Sequence, residues 1–368
     1  MNNEWYHIKE IEKLDSPALV VFPQRVKKNI QTAIEMVGNV ERLRPHVKTN
    51  KSAAATQLML DAGITKFKCA TIAEAEMLGI IKAPDVLLAY QPLGPKLHRF
   101  IELIKKFPQT KYSCLVDNID AAKEQSLAFE ENKIEAKVYV DLNVGMNRTG
   151  ITPDDALELC KFLSTANGIK FAGLHAYDGH LRSDINLRTK ECNEAFEAVE
   201  KLKEKLSEIG IAVPNTVAGG SPTFPIHAKR KNVECSPGTF IYWDKGYTNL
   251  CPEQNFIPAA VLITRVISII SSRQICTDLG HKSVAPENEI TRRIYFFNAP
   301  DLLPISQSEE HLVCEVTSNH LYQTGDVLYG IPNHICPTVA LYERVITVED
   351  GKITGEWKNI ARDRKLTV

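Results

Sequence analysis

Lys48 is the residue of this chain whose type and setting most directly suggest chemistry. It ends the run Arg44-Pro45-His46-Val47-Lys48, and the small residues Ser52-Ala53-Ala54-Ala55-Thr56 that follow favour a helix. The run therefore reads as a strand delivering a lysine to a strand-to-helix junction, the place where α/β barrels keep their chemistry. Most lysines are solvated surface cations, because burying the charge is costly unless it is paired. A lysine kept neutral by burial and neighbouring cations can instead condense with an aldehyde. Arg44, His46 and Lys51 put positive charge close to Lys48 along the chain.

Three further groups could do chemistry. The loops Ala218-Gly219-Gly220-Ser221-Pro222-Thr223 and Ser236-Pro237-Gly238-Thr239 could bring backbone N–H groups close to an anion, although each is equally readable as a turn. The segment Asp141-Leu142-Asn143-Val144-Gly145-Met146-Asn147-Arg148-Thr149-Gly150 offers a cation among glycines. In Pro332-Asn333-His334-Ile335-Cys336-Pro337, read as extended chain, residues i and i+2 share a face. His334 and Cys336 could then hold one cation, imidazole and thiolate suiting zinc. Two ligands do not close a structural site, so water and substrate would have to complete it.

Arg44-Pro45-His46-Val47-Lys48-Thr49 resembles the cofactor-lysine signature of the D-threonine aldolase and D-serine dehydratase family, relatives of the alanine racemases that use pyridoxal phosphate in a barrel. The resemblance implies that Lys48 bonds the cofactor aldehyde. It implies that Arg148, in a stretch similar to the family's Gly-x-x-Arg-x-Gly, meets the cofactor's phenolate oxygen. Tyr177, in Gly173-Leu174-His175-Ala176-Tyr177-Asp178-Gly179-His180, would lie against or beside its ring, with His180 a weaker candidate for a polar role. Gly219, Gly220, Ser221, Gly238 and Thr239 resemble the phosphate-binding segments. Counterparts of the His334–Cys336 segment supply the family's metal, so a divalent cation, zinc or else manganese or magnesium, is expected there. Two positions depart from the pattern. Asn50 stands where the family usually has histidine and cannot act as a base. Ser236 stands where alanine racemases place an arginine toward the pyridine nitrogen; a neutral partner leaves the ring a weaker electron sink, which disfavours racemisation.

The elements that must position these residues alternate regularly. Short β-type runs occur at 44–48, 67–70, 86–90, 112–116, 137–142, 171–176, 216–218 and near Cys235, and helical periodicity fills 95–106, 119–130, 154–165 and 187–208. Thr71 with Glu74 forms a capping box and Gly79 reads as the stop of that short helix. Eight strands with intervening helices match an α/β (β/α)8 TIM-type barrel, an open doubly wound sheet being the alternative. After about Leu250 β-branched runs at 261–270, 294–297, 312–316 and 344–348 indicate a predominantly antiparallel β domain. The expected organisation is an N-terminal segment, 1–22, joining the β domain; a pyridoxal-phosphate-binding barrel, 23–248; and the C-terminal β domain, 249–368, with the metal-binding segment.

A formal net charge of −1 and 44% hydrophobic residues, with no basic face, argue against nucleic acid as a partner. No run reaches the roughly 18 apolar residues of a membrane span, so a cytoplasmic protein is expected. Nine cysteines, odd in number and never spaced Cys-x-x-Cys, read as free thiols. The expected function is a metal-assisted lyase that cleaves D-3-hydroxy amino acids, giving glycine and an aldehyde from a D-threonine-like substrate. Dehydration of D-serine or D-threonine needs the same parts and remains open, as do racemisation and a non-catalytic pyridoxal-phosphate carrier. A small D-amino acid is the expected partner, and a homodimer is implied by the resemblance.

Overall fold

Residues 4–368 are described by a computed structural model. Two compact units divide the chain: residues up to Thr32 with Thr49–Leu58 and Thr239–Arg362, and Ala33–Lys48 with Met59–Gly238 and Asp363–Val368. No helix among the described residues is long and apolar enough to cross a membrane.

The chain enters through β1 (Ala18–Val21), α1 (Pro23–Val37) and α2 (Ala53–Asp61). It then alternates through β2 (Lys66–Cys69), α3 (Ile72–Ile80), β3 (Asp85–Leu88), α4 (Pro95–Lys106), β4 (Lys111–Val116), α5 (Ile119–Glu131), β5 (Ala136–Leu142) and α6 (Leu157–Thr165). The series continues with β6 (Ile169–Ala176), α7 (Ile185–Glu208), β7 (Asn215–Ala218), α8 (Phe224–His227) and β8 (Glu234–Cys235). Strands β2 to β8 pair in sequence order and all in parallel, as right-handed βαβ crossovers require. Leu87, Leu115, Tyr139, Ala172 and Val217, one from each of five successive strands, pack as a buried layer.

The expected strand at 44–48 is not a regular strand. Leu43 bridges to Cys235 and His46 to Lys68, so the segment lies between β8 and β2 and serves as the eighth stave. Pro45 has no N–H to offer, and the ladder is reduced to separate bonds: Arg44 N–H to the Cys235 oxygen, Val47 N–H to the Lys68 oxygen, and Lys68 N–H to the Pro45 oxygen. Side-chain charge secures the closure. The Arg44 guanidinium, 1% exposed, binds Asp85 at 2.6 Å and Glu234 at 2.7 Å. The capping box forms as read, Thr71 accepting from Glu74 N–H and Glu74 accepting from Ala70 N–H. Gly79, however, lies inside α3 and does not stop it; a Cβ there would sit 2.2 Å from the Tyr112 hydroxyl, so close packing demands the glycine.

In the other unit α9 (Lys245–Leu250) precedes β9 (Ala260–Ser271), β10 (Gln274–Thr277), β11 (Ile294–Phe296), β12 (Leu303–Gln307), β13 (Leu312–Glu315), β14 (Val327–Pro332), α10 (Ile335–Leu341), β15 (Arg344–Glu349) and β16 (Lys352–Lys358). The sheet order is β12-β13-β10-β9-β1-β15-β16, with β14 pairing both β9 and β11. Every pair is antiparallel except β1 with β15. The N-terminal strand thus completes the C-terminal sheet, and Tyr6, Ile8, Val20, Phe22, Val261, Ile263 and Val348 form its core.

Candidate active site

The carboxyl ends of the barrel strands open on a cavity of about 550 Å³ lined by His46, Lys48, Lys68, Gln91, Asp141, Arg148, His175 and Tyr177, among others. Lys48 reaches it from the closing stave, where its backbone N–H donates to His46 Nδ1 at 3.3 Å. Three cations surround one ring: Lys48 Nζ lies 5.9 Å, Lys68 Nζ 5.4 Å and the Arg148 guanidinium carbon 5.2 Å from the Tyr177 centroid. Glycines make room for that ring. A Cβ at Gly179 would lie 2.2 Å from the Tyr177 hydroxyl, and one at Gly220 2.9 Å from Tyr177 Cε2.

The charges expected to bear on Lys48 are arranged differently from the sequence reading. Arg44 is neutralised by its two carboxylates. Lys68, which sequence reasoning missed, is the neighbouring amine: it is 2% exposed, and burial followed by the charge of Lys48 pushes its pKa down to about 7. A lysine inside the otherwise apolar β2 run Phe67-Lys68-Cys69 was the available signal.

Asp141 and His175 form a second pair that the sequence left unassigned. His175 Nδ1 lies 2.7 Å from Asp141 Oδ1, and Asp141 also accepts from Thr149 at 2.9 Å and Gln91 at 2.9 Å. Burial pushes the Asp141 carboxyl up, but these hydrogen bonds outweigh it and hold it below the usual range. Burial, reinforced by the charges of Lys68 and Arg148, holds the His175 imidazole below its ordinary value despite Asp141. A neutral imidazole donating from Nδ1 leaves Nε2 as an acceptor. That atom is buried and has no partner among the described residues.

The arginine loop is built by its own side chains. Asn143 Oδ1 accepts from Gly145 N–H and Asn147 N–H, and Gly145 and Gly150 have φ of +110° and +101°, a region side-chain-bearing residues rarely adopt. His180 stands over Gly145, whose Cβ would meet its Nε2 at 3.0 Å. Gly219 has φ +84°, Gly220 N–H donates to Thr223 Oγ1, and Gly238 N–H donates to Ser221 Oγ. Behind this loop Asp178 accepts from Thr223 at 2.5 Å and pairs with His227 Nε2 at 2.8 Å, with Cys192 Sγ 3.4 Å from that nitrogen. Asp178, Cys192 and His227 have a metal-like spacing. Arg230 occupies His227 Nδ1 as a donor, however, which puts the proton on Nε2 and satisfies the group as a hydrogen-bonded strut. The Ser236 hydroxyl donates to the Arg44 carbonyl oxygen at 2.9 Å.

In the other unit His334 and Cys336 do not share the face of an extended strand. His334 is the extended N-cap of α10 and Cys336 lies in its first turn. Pro337 explains the difference, since its missing N–H is harmless in a first helical turn. The two side chains still meet through a hydrogen bond. Burial pushes the His334 imidazole down, but Cys336, Asp244 and Glu287 outweigh it and its pKa rises to about 9. Glu287 takes Nδ1 at 2.6 Å. Cys336 Sγ lies 3.1 Å from Thr49 Oγ1 and 3.7 Å from Thr239 Oγ1. Asn50 is fully buried, its Oδ1 accepting from Ser52 N–H and the Thr56 hydroxyl.

A family model for the alanine racemase N-terminal domain matches residues 21–245, and one for a serine dehydratase domain matches residues 259–348. The chain is similar to a D-threonine aldolase of Arthrobacter sp, 25% identical over 364 residues that make up 96% of this chain and 94% of the relative. It is 24% identical to a D-threo-3-hydroxyaspartate dehydratase of Delftia sp. strain HT23, over 89% of this chain and 93% of that one. Among solved structures, a D-threonine aldolase from Filomicrobium marinum superposes with a TM-score of 0.88 at 25% identity, covering 95% of each chain. A D-threo-3-hydroxyaspartate dehydratase, solved as a cysteine-to-alanine mutant in the metal-free form, superposes with a TM-score of 0.83 at 20% identity over 95% of this chain and 99% of that one.

Proposed function

The chain belongs to the family of the alanine racemase N-terminal domain, and from that premise we propose that it is a pyridoxal-phosphate-dependent, metal-assisted lyase cleaving D-3-hydroxy amino acids to glycine and an aldehyde. The observation that carries the reading is Lys48, brought by the closing stave to a cavity whose other cations, Lys68 and Arg148, also face Tyr177. Similarity along nearly the whole chain to a D-threonine aldolase supports the reaction class.

The residues present fit the cofactor. A cavity rich in cations suits its phosphate and phenolate, the orphan His175 Nε2 offers it an acceptor, and Gly219 and Gly220 leave backbone where a Cβ would clash. When bound, pyridoxal phosphate supplies an electron sink for the pair released as a bond to Cα breaks. Lys48 would hold the cofactor aldehyde and would serve to move a proton at Cα. Arg148 would meet the phenolate oxygen, Tyr177 would flank the ring, and Gly219, Gly220 and Ser221 with Gly238 and Thr239 would hold the phosphate. His334 and Cys336 would hold the divalent cation, zinc by donor type, which would supply a Lewis acid for the substrate hydroxyl. The dehydratase neighbours were solved as mutants of a histidine and of a cysteine two residues apart, as His334 and Cys336 are, the cysteine mutant in a metal-free form. His180 is the remaining polar candidate, because Asn50 cannot accept the hydroxyl proton. A cytoplasmic homodimer belongs to the same proposal, checked by sedimentation and fractionation.

Dehydration is the second reading, favoured by the His-x-Cys pair and by the dehydratase relative. Incubation with D-threonine should give acetaldehyde and glycine, and D-serine should give little pyruvate. Pyruvate from D-serine without acetaldehyde from D-threonine selects the dehydratase. Neither product, or turnover surviving Lys48→Ala, removes the lyase reading.

A further inference from the structure

The cavity at the carboxyl ends of the barrel strands holds one amine to which the family pattern gives no task. Lys68 stands on β2 between Phe67 and Cys69, both fully buried. It is in register with Leu87, one of the layer packed inside the barrel, so its side chain points inward with that layer. There it opens on the cavity that Lys48 and Arg148 also line. The residue is only 2% exposed. Among the described residues its amine has no hydrogen-bond acceptor and no ion-pair partner, and it looks onto the Tyr177 ring at 5.4 Å.

The carboxylates near enough to act on this amine are already engaged. Asp141, from β5, is committed to His175, Thr149 and Gln91, and Asp178, after β6, to His227 and Thr223. Burial first, then the charge of Lys48, therefore outweigh those two carboxylates and bring the Lys68 amine down to about 7. A buried amine without an acceptor is costly. An entering oxyanion removes that cost, because it takes the open N–H groups and its charge favours the ammonium form. The walls of the cavity narrow the choice of oxyanion. Asp141, Asn143, Arg148 and Thr149 of the arginine loop line it, whereas Gly219, Gly220 and Gly238, the glycines expected around phosphate, are not among its walls. That leaves the cofactor's phenolate and the substrate's carboxylate.

We propose that Lys68 is an oxyanion-binding residue of this cavity, its buried amine taking the cofactor's phenolate oxygen or the carboxylate of the amino-acid substrate. It is a second cation beside Arg148, and of a different kind. An arginine is charged whether or not its ligand is present, whereas a buried lysine gives up its proton in the empty cavity and regains it when an anion arrives. The empty cavity then need not hold three full charges around one tyrosine ring. The inference rests on the reading that the chain binds pyridoxal phosphate.

The test compares full-length native protein with Lys68→Met at about pH 6.5, where most of the native amine still carries its proton. Absorbance titration of the apoproteins gives affinities for pyridoxal phosphate and for 3-deoxypyridoxal phosphate, which lacks the phenolate. On the loaded proteins D-alanine, which has no hydroxyl group to cleave, is set against ethylamine, which has no carboxylate. The readout is the affinity ratio within each pair, so a general weakening of the site cancels. A ratio lowered about tenfold or more in Lys68→Met for the cofactor pair assigns the contact to the phenolate, and for the amine pair to the carboxylate. Both ratios unchanged overturn the proposal. Should the variant fail to fold, reductive methylation of the native apoprotein decides it by mass spectrometry. Saturating 4-nitrophenolate or acetate should slow modification of Lys68 about tenfold or more, as the amine is covered and protonated, with exposed Lys133 unaffected. Lack of protection by either anion refutes the site. Failure of every form to take up cofactor sinks the lyase reading instead, and the methylation result still judges Lys68.

Discussion

Replacing Lys68 by methionine removes a buried amine while keeping an unbranched side chain, and its effect on stability should depend on pH with a fixed sign. Burial, then the charge of Lys48, brings the Lys68 amine down from an ordinary 10.5 to about 7. Below about pH 7 folded and unfolded chains both carry this proton, and the folded chain bears the whole cost of a buried ammonium. Between the two values the folded chain has lost the proton while the unfolded chain keeps it, so the cost falls by about 1.4 kcal/mol per pH unit. Above 10.5 neither form is charged and the cost is gone. The 3.5 pH units between 10.5 and about 7 set a ceiling of roughly 5 kcal/mol. Urea unfolding of both apoproteins across that range should therefore find Lys68→Met the more stable at acid pH. Its lead should shrink steadily toward alkaline pH. Packing differences add only a constant offset, so the slope is the readout. A difference independent of pH, or a native protein that gains on the variant as pH falls, would refute the reasoning.

Arg44→Ala should cost about 3–5 kcal/mol in urea unfolding, because it strands Asp85 and Glu234 at the barrel closure. Gly220→Ala would press a methyl group to 2.9 Å from the Tyr177 ring, and absorbance titration should show pyridoxal phosphate binding weakened by about tenfold, or 1.4 kcal/mol. Asp141→Ala removes the group that raises the His175 pKa against burial, so NMR titration should find this imidazole moved still further below 6.5. Chelation, or Cys336→Ala, should lower turnover by about 100-fold or more, leaving cofactor attachment to Lys48 intact. Added zinc should restore the chelated protein and not the variant.

Much of the barrel was legible because each stave is a short apolar run between helical stripes, and observed strands such as Ala136–Leu142 and Ile169–Ala176 lie within two residues of the runs read from the sequence. Thr71 and Glu74 form the capping box because its logic is wholly local. The departures arise where a local signal had two outlets. A glycine near a helix end reads as a cap, yet Gly79 answers to Tyr112, a contact between elements. Alternating His-x-Cys reads as strand, yet a helix starts at Ile335, with Pro337 in its first turn. Lys48 carried a motif, whereas Lys68, Asp141 and His175 sit on three different strands and become a site only when the sheet aligns them.

The charge of the cavity follows from how its carboxylates are spent, which a count of residues would miss. Asp141 and Asp178 lie near enough to lend Lys68 favourable charge, but every acceptor described on them is directed at a histidine, a hydroxyl, a thiol or an amide. Asp85 and Glu234 are likewise taken up in closing the barrel around Arg44. Among the described residues, Lys48, Lys68 and Arg148 are therefore left without dedicated counterions around Tyr177. A site of that sign attracts a phosphorylated, phenolate-bearing cofactor and an amino-acid carboxylate alike.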